Sequence, residues 1–114
     1  MNIGQAAKSS GVSAKMIRYY EQTGLIPPAD RTGSGYRDYS DTDVHMLRFI
    51  RRARDLGFSV AEIGELLGLW RDKSRQSSEV KRIARDHIGT LEQKIRDMQD
   101  MVATLTDLVA SCRG

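Results

Sequence analysis

Cysteine occurs once in the 114 residues, as Cys112, and proline twice, as Pro27 and Pro28. A lone thiol excludes an intramolecular disulfide, so the fold cannot rest on cross-links. No run approaches the roughly 18 apolar residues of a membrane span, and no signal-like apolar stretch follows Met1. The expectation is a cytoplasmic protein without membrane contact. There are no internal repeats and no low-complexity segments. A glycine-rich phosphate loop and a nucleophile–base pair are also missing, which argues against an enzyme.

What is present is a charged chain with uneven polarity. Residues 1–54 carry nine Lys/Arg against five Asp/Glu, a net +4; residues 55–114 carry nine against ten, a net −1. The basic excess therefore sits in the first half, which points to nucleic acid contacted there. The length suits one small domain with an extension that buries its apolar face on a partner chain.

The segment "NIGQAAKSSGVSAKMIRYYEQTGL" reads as two short helices around a tight turn. Ile3, Ala6 and Ala7 form the apolar face of the first. Gly11 is suited to the positive φ of the turn. Ser13 is an N-cap for a second helix to about Glu21, which Gly24 ends. Val12, Met16 and Ile17 are expected to turn inward, leaving Lys15, Arg18 and Tyr20 as the outward set. "IPPADRTGSGYRDYS" breaks the helix and forms a turn and hairpin, with Arg31, Tyr36, Arg37 and Tyr39 as a basic and aromatic group. Ser40 through Asp43 cap a third helix with Val44, Leu47, Phe49, Ile50 and Ala53 inward. After Gly57, the Ser59–Glu62 capping box starts a fourth, with Ile63, Leu66, Leu67 and Trp70 inward.

From about Glu79 the pattern changes to heptads. Ile88, Ile95, Val102 and Val109 recur every seven residues; Leu91, Met98, Leu105 and Cys112 follow three later. One such helix has nothing in its own chain to cover that stripe, so a homodimer is expected. Gly89 interrupts this helix without an evident reason. The predicted fold is mainly α: a winged helix-turn-helix over 1–70 (wing about 25–39, connecting helices 41–70), a linker over 71–78 and a dimerisation helix over 79–112.

The second helix of a helix-turn-helix enters the major groove. Arginine there can take both hydrogen-bond acceptors of a guanine edge, lysine can reach guanine or phosphate, and tyrosine hydroxyls bind phosphate. The order of turn, basic helix, wing and following basic helix "RFIRRARD" favours DNA binding over a chance surface. His45 and His87 lack ligand spacing and read as surface residues. Met98 and Met101 read as seam packing. Cys112 could be a seam residue, a thiol switch or a ligand. A coiled-coil adaptor that binds no DNA is the reading from another class, and the basic wing argues against it.

"IRYYEQTGLIPPADRTGSGYRDYS" resembles the signature of MerR-family transcription regulators: an Arg-aromatic-Tyr-Glu run, then Gly-Leu, then a Gly-Tyr-Arg wing. "RRARDLGFSVAEIGELL" continues it. The resemblance runs from Met1 to Cys112 and is most similar to the copper-efflux branch. It implies a homodimer with an antiparallel coiled coil that binds promoter DNA and distorts it for RNA polymerase, as repressor or activator. It implies recognition-helix contacts from Lys15, Arg18 and Tyr20, wing contacts from Arg31, Tyr36 and Arg37, and a phosphate contact from Arg54. It also implies one Cu(I), or Ag(I) or Au(I), held between two thiolates, since soft monovalent ions tolerate two-coordinate sulfur. Cys112 takes the first ligand position; the expected second cysteine would follow in a loop that begins at 112–114. Ser77 stands where relatives that sense divalent ions have cysteine, which implies selectivity for +1 ions. It also suits an N-cap of the long helix.

Overall fold

A computed structural model describes residues 1–71 and 77–112, apart from the Ser77 side chain. The chain divides into two units, Met1–Lys73 and Ser74–Gly114. The first holds helices α1 (Ile3–Ser10), α2 (Ala14–Gln22), α3 (Asp41–Asp55) and α4 (Val60–Arg71), with a two-stranded hairpin, β1 (Asp30–Arg31) and β2 (Arg37–Asp38). The second is one helix, α5 (Ser77–Ser111).

Each short helix starts at a side chain that satisfies its free N–H groups. Asn2 and Gln5 form a capping box on α1, and the Ser13 hydroxyl accepts from the Met16 N–H on α2. Ser40 and Asp43 box α3, so aspartate does here what Glu or Gln does more often. Ser59 and Glu62 exchange the same two bonds at the start of α4, at 3.0 and 3.1 Å. The Asn2 cap was not evident in the sequence.

The core of the first unit is built from Ala6, Ile17, Ile26, Leu47, Ile50, Ile63 and Leu67, all at 1% exposure or less, with Phe58 and Tyr39 beside them. Several expected inward residues are placed differently. Met16 is 37% exposed, and Phe49 is half-buried while its neighbour Met46 is buried instead. Ile17 and Tyr20 are three apart and share the buried face of α2, which turns Met16 and Tyr19 outward. Trp70, expected in the core, is 53% exposed. It lies at the end of α4 with its ring against the edges of His45 (5.3 Å, 89°) and Phe49 (6.4 Å, 86°).

The long helix starts two residues before its expected position at 79. Residues 72–76 of the expected linker lie outside the described residues; Arg71 belongs to α4, and Ser77 and Ser78 to α5. Along α5 the heptad stripe is open: Ile88, Ile95, Met98, Val102, Leu105 and Val109 are each at least half exposed. Met101 and Leu108, seven apart, widen it. At about 1.5–3 kcal/mol for each large apolar side chain fully buried, covering this stripe is worth on the order of 10 kcal/mol.

Candidate nucleic-acid interface

The turn between α1 and α2 is fixed from α3. Gly11 adopts φ +76°, closing α1 in the left-handed region that favours glycine. Arg48 donates from Nε to the Ser9 carbonyl at 3.0 Å, and Arg51 from Nη1 to the Gly11 carbonyl at 3.2 Å. These are carbonyls that the end of a helix leaves without partners. A Cβ on residue 11 would lie 1.8 Å from Arg51 Nη1. The φ of the turn favours glycine, and any side chain there would also displace the Arg51 guanidinium from the Gly11 carbonyl. From sequence, Arg48 and Arg51 were merely part of a basic run; the nearby Gly11 was the signal that pointed to the turn.

With the turn fixed, α2 presents Lys15 and Arg18, three residues apart on one exposed face. Among the described residues no hydrogen bond or ion pair holds either of them. Contrary to the sequence reading, Tyr20 does not join Lys15 and Arg18 on this face. It is 6% exposed, and Tyr19, 49% exposed, takes the outer position.

The wing is a tight hairpin. Asp30 pairs with Asp38 and Arg31 with Arg37 in antiparallel register. The Thr32 N–H donates to the Tyr36 carbonyl at 2.7 Å, and the Gly35 N–H to the Thr32 carbonyl at 2.9 Å. Arg31 donates from Nη1 to the Gly35 carbonyl at 2.8 Å, bracing the tip that carries it. Tyr36, 75% exposed, projects from the tip. Between the wing and the start of α1 lies an open hollow of about 360 Å³, lined by Asn2, Ile3, Arg31, Gly35, Tyr36 and Arg37. Two guanidinium groups at such a hollow suit a sugar-phosphate rail.

Arg37 and Tyr39 are set apart from Arg31 and Tyr36. Arg37 Nε lies 3.3 Å from Glu21 Oε2, and the Glu21 side chain is only 5% exposed. Tyr39, 2% exposed, donates its hydroxyl to Glu21 Oε1. Burial, the hydrogen bond to Glu21 and the charge of Glu21 push the Tyr39 hydroxyl up to about 12. The end of the wing is also tied to the N-terminus: the Met1 ammonium contacts Asp38 Oδ1 at 2.7 Å and the Tyr39 carbonyl at 2.9 Å. The sequence showed Glu21 without a role, and Tyr39 only as one of the basic and aromatic residues of the hairpin. Arg54 is exposed, with one Nη donating to the Phe58 carbonyl at 3.2 Å.

Cys112, the last described residue, is exposed and a free thiol. Among the described residues no group of three or more His, Cys, Asp or Glu could hold a metal ion. The Ser77 side chain, and residues 113 and 114 of the expected metal loop, lie outside the described residues. No described helix is long and apolar enough to cross a membrane.

A braced turn, an outward basic helix and a wing that carries two guanidinium groups define a DNA-binding protein of the winged helix-turn-helix class. Residues 1–69 match the family model described as MerR HTH family regulatory protein, and residues 44–108 match MerR, DNA binding. The chain belongs to the MerR family of transcription regulators. It is 67% identical over 114 residues to the HTH-type transcriptional regulator HmrR of Sinorhizobium medicae, covering all of this chain and 78% of that protein. It is 40% identical over 114 residues to the HTH-type transcriptional regulator CueR of Escherichia coli, covering all of this chain and 84% of that protein. Among solved structures, a MerR family transcriptional regulator from Listeria monocytogenes superposes with a TM-score of 0.84 at 33% identity, over 96% of this chain and 83% of that one.

Proposed function

We propose that this DNA-binding regulator responds to a soft monovalent metal ion, Cu(I) or its congeners Ag(I) and Au(I), and acts as a homodimer on promoter DNA. The observation that carries the dimer is the open heptad stripe of α5, which water would otherwise face along the helix. Two winged units on one dimer would read two half-sites of a near-palindrome. Metal binding would then change how far the dimer twists or bends the DNA between them, and so whether RNA polymerase can use the promoter. In this reading Lys15 and Arg18 contact base edges, while Arg31, Tyr36 and Arg54 contact the backbone.

For the metal, the chemistry of the donors decides how far the residues present fit. Residues 1–114 contain one cysteine, and two-coordinate Cu(I) needs two thiolates, so they supply half of such a site. Cys112 is exposed and free to ligate. A helix of 35 residues is about 52 Å long, so an antiparallel pair keeps the two Cys112 thiols at opposite ends. The two copies of residues 1–114 therefore supply one thiolate at each end. Relatives named as heavy-metal-dependent regulators of Rhizobium meliloti support the metal assignment.

The test is a Cu(I) titration against a competing chelator, with duplex DNA present, on the wild type and on Cys112→Ser. The expected outcome is Cu(I) binding through Cys112, weaker than a two-thiolate site gives, that the substitution abolishes, with DNA binding retained. Unchanged Cu(I) affinity in Cys112→Ser would overturn the assignment of the ligand.

A further inference from the structure

We propose that Glu21 is a positioning residue that locks the wing onto the recognition helix, and that Arg37 and Tyr39 are the wing's two anchors on it. The inference rests on the DNA-binding role of α2 and the wing. It goes beyond that role by making the two elements one rigid reading head.

The geometry carries it. Glu21 lies in the last turn of α2, on the same helix as Lys15 and Arg18. Its two carboxylate oxygens are divided between two residues of the wing: Oε2 faces Arg37 Nε at 3.3 Å, and Oε1 accepts the Tyr39 hydroxyl. The carboxylate side chain is 5% exposed and Tyr39 2% exposed, so neither contact is a loose surface pair. A charged group so buried is kept only where its partners satisfy it, and removing one partner is felt by the other. Arg37 itself is about one-third exposed, leaving its other nitrogens open on the side of the hollow beside Arg31 and Tyr36. Arg37 is thus an anchor first, at a position where sequence suggested only a DNA contact. Arg48 and Arg51 hold the turn that precedes α2, and Glu21 ties the other end of α2 to the wing.

The loss of a carboxylate charge cannot by itself weaken binding to a polyanion, which makes the test sharp. Glu21→Gln deletes that charge and keeps the shape. Tyr39→Phe deletes only the hydroxyl. Both are measured with Arg37→Gln and the double variant Glu21→Gln/Arg37→Gln. The full chain is titrated on a duplex that the wild type selects from a random pool, and on an unselected duplex of equal length. A core variant, Ile63→Val, serves as the control for lost stability alone.

The expected result is that Glu21→Gln weakens binding to the selected duplex by about tenfold, the factor that corresponds to 1.4 kcal/mol. Binding to the unselected duplex is no weaker than that of the wild type. Tyr39→Phe acts in the same direction, the double variant is no weaker than Arg37→Gln alone, and Ile63→Val leaves the selected-to-unselected ratio intact. Equal or tighter binding of the selected duplex by both Glu21→Gln and Tyr39→Phe overturns the proposal, as does an additive double variant. Failure of the wild type to select any duplex would instead overturn the DNA-binding reading itself.

Discussion

Replacing Gly11 with alanine tests the turn that orients the recognition helix. A left-handed φ of +76° costs a non-glycine residue roughly 1–2 kcal/mol. The added Cβ would also lie 1.8 Å from Arg51 Nη1 and 3.0 Å from its Cζ, so the guanidinium must leave. It then loses its 3.2 Å bond to the Gly11 carbonyl. Such a charged hydrogen bond is worth up to about 1.5–3 kcal/mol, but Arg51 is exposed, so screening leaves about 1. The expected loss for Gly11→Ala is therefore about 2–3 kcal/mol of folding stability. Urea unfolding at fixed protein concentration measures it, and an unchanged slope shows that the same two states are compared. Arg51→Ala removes both the clash and the bond, so adding Gly11→Ala to it should cost only the backbone strain of about 1–2 kcal/mol. A Gly11→Ala cost below about 0.5 kcal/mol, or full additivity with Arg51→Ala, would refute the reasoning.

Other outcomes follow from particular side chains. Arg18→Ala should weaken binding to the selected duplex by roughly 1–3 kcal/mol and relax preference at one base position, read by competition with single-base variants. Gly89 has open space where a Cβ would be, so Gly89→Ala should stabilise α5 by about 1 kcal/mol in thermal unfolding; destabilisation would mean that a partner helix approaches closely there. The Tyr39 hydroxyl titrates near 12 when folded against 10.0 when free, so its contribution is complete below pH 10 and is lost as pH rises through about 12. Wild-type stability should accordingly fall across that window by on the order of 2–3 kcal/mol, and Tyr39→Phe should flatten the fall.

The order of elements was legible because it rests on local chemistry. Ser13, Ser40 and Ser59 mark helix starts, Gly11 and Gly24 mark ends, and the glycines at 33 and 35 mark the wing. The heptads of α5 were equally plain, since a seven-residue repeat needs no tertiary information. What sequence misplaced were choices between two faces of a short helix. Ile17 fixes the buried face of α2, and from that follow the burial of Tyr20 and the exposure of Met16 and Tyr19. Trp70 looked like core by composition, yet it sits at the last turn of α4, 53% exposed, with the rings of His45 and Phe49 beside it. Arg37 and Arg31 look alike as letters. Only the fold brings Arg37 and Tyr39 to the Glu21 carboxylate, 18 positions before Tyr39, and so separates the anchor from Arg31, which has no carboxylate partner among the described residues. Arg48 and Arg51 likewise act on carbonyls about 40 residues away, a distance that helix periodicity does not span.

The outward face of α2 and the guanidinium groups of the wing are proposed to bind duplex DNA. The proposal is tested most directly by titrating the selected duplex with the full chain across a range of salt concentrations, for the wild type and for Arg31→Ala. The expected result is a logarithmic affinity that falls linearly with the logarithm of salt, and a slope shallower by about one in Arg31→Ala. Binding that is absent, or that does not depend on salt, would contradict it.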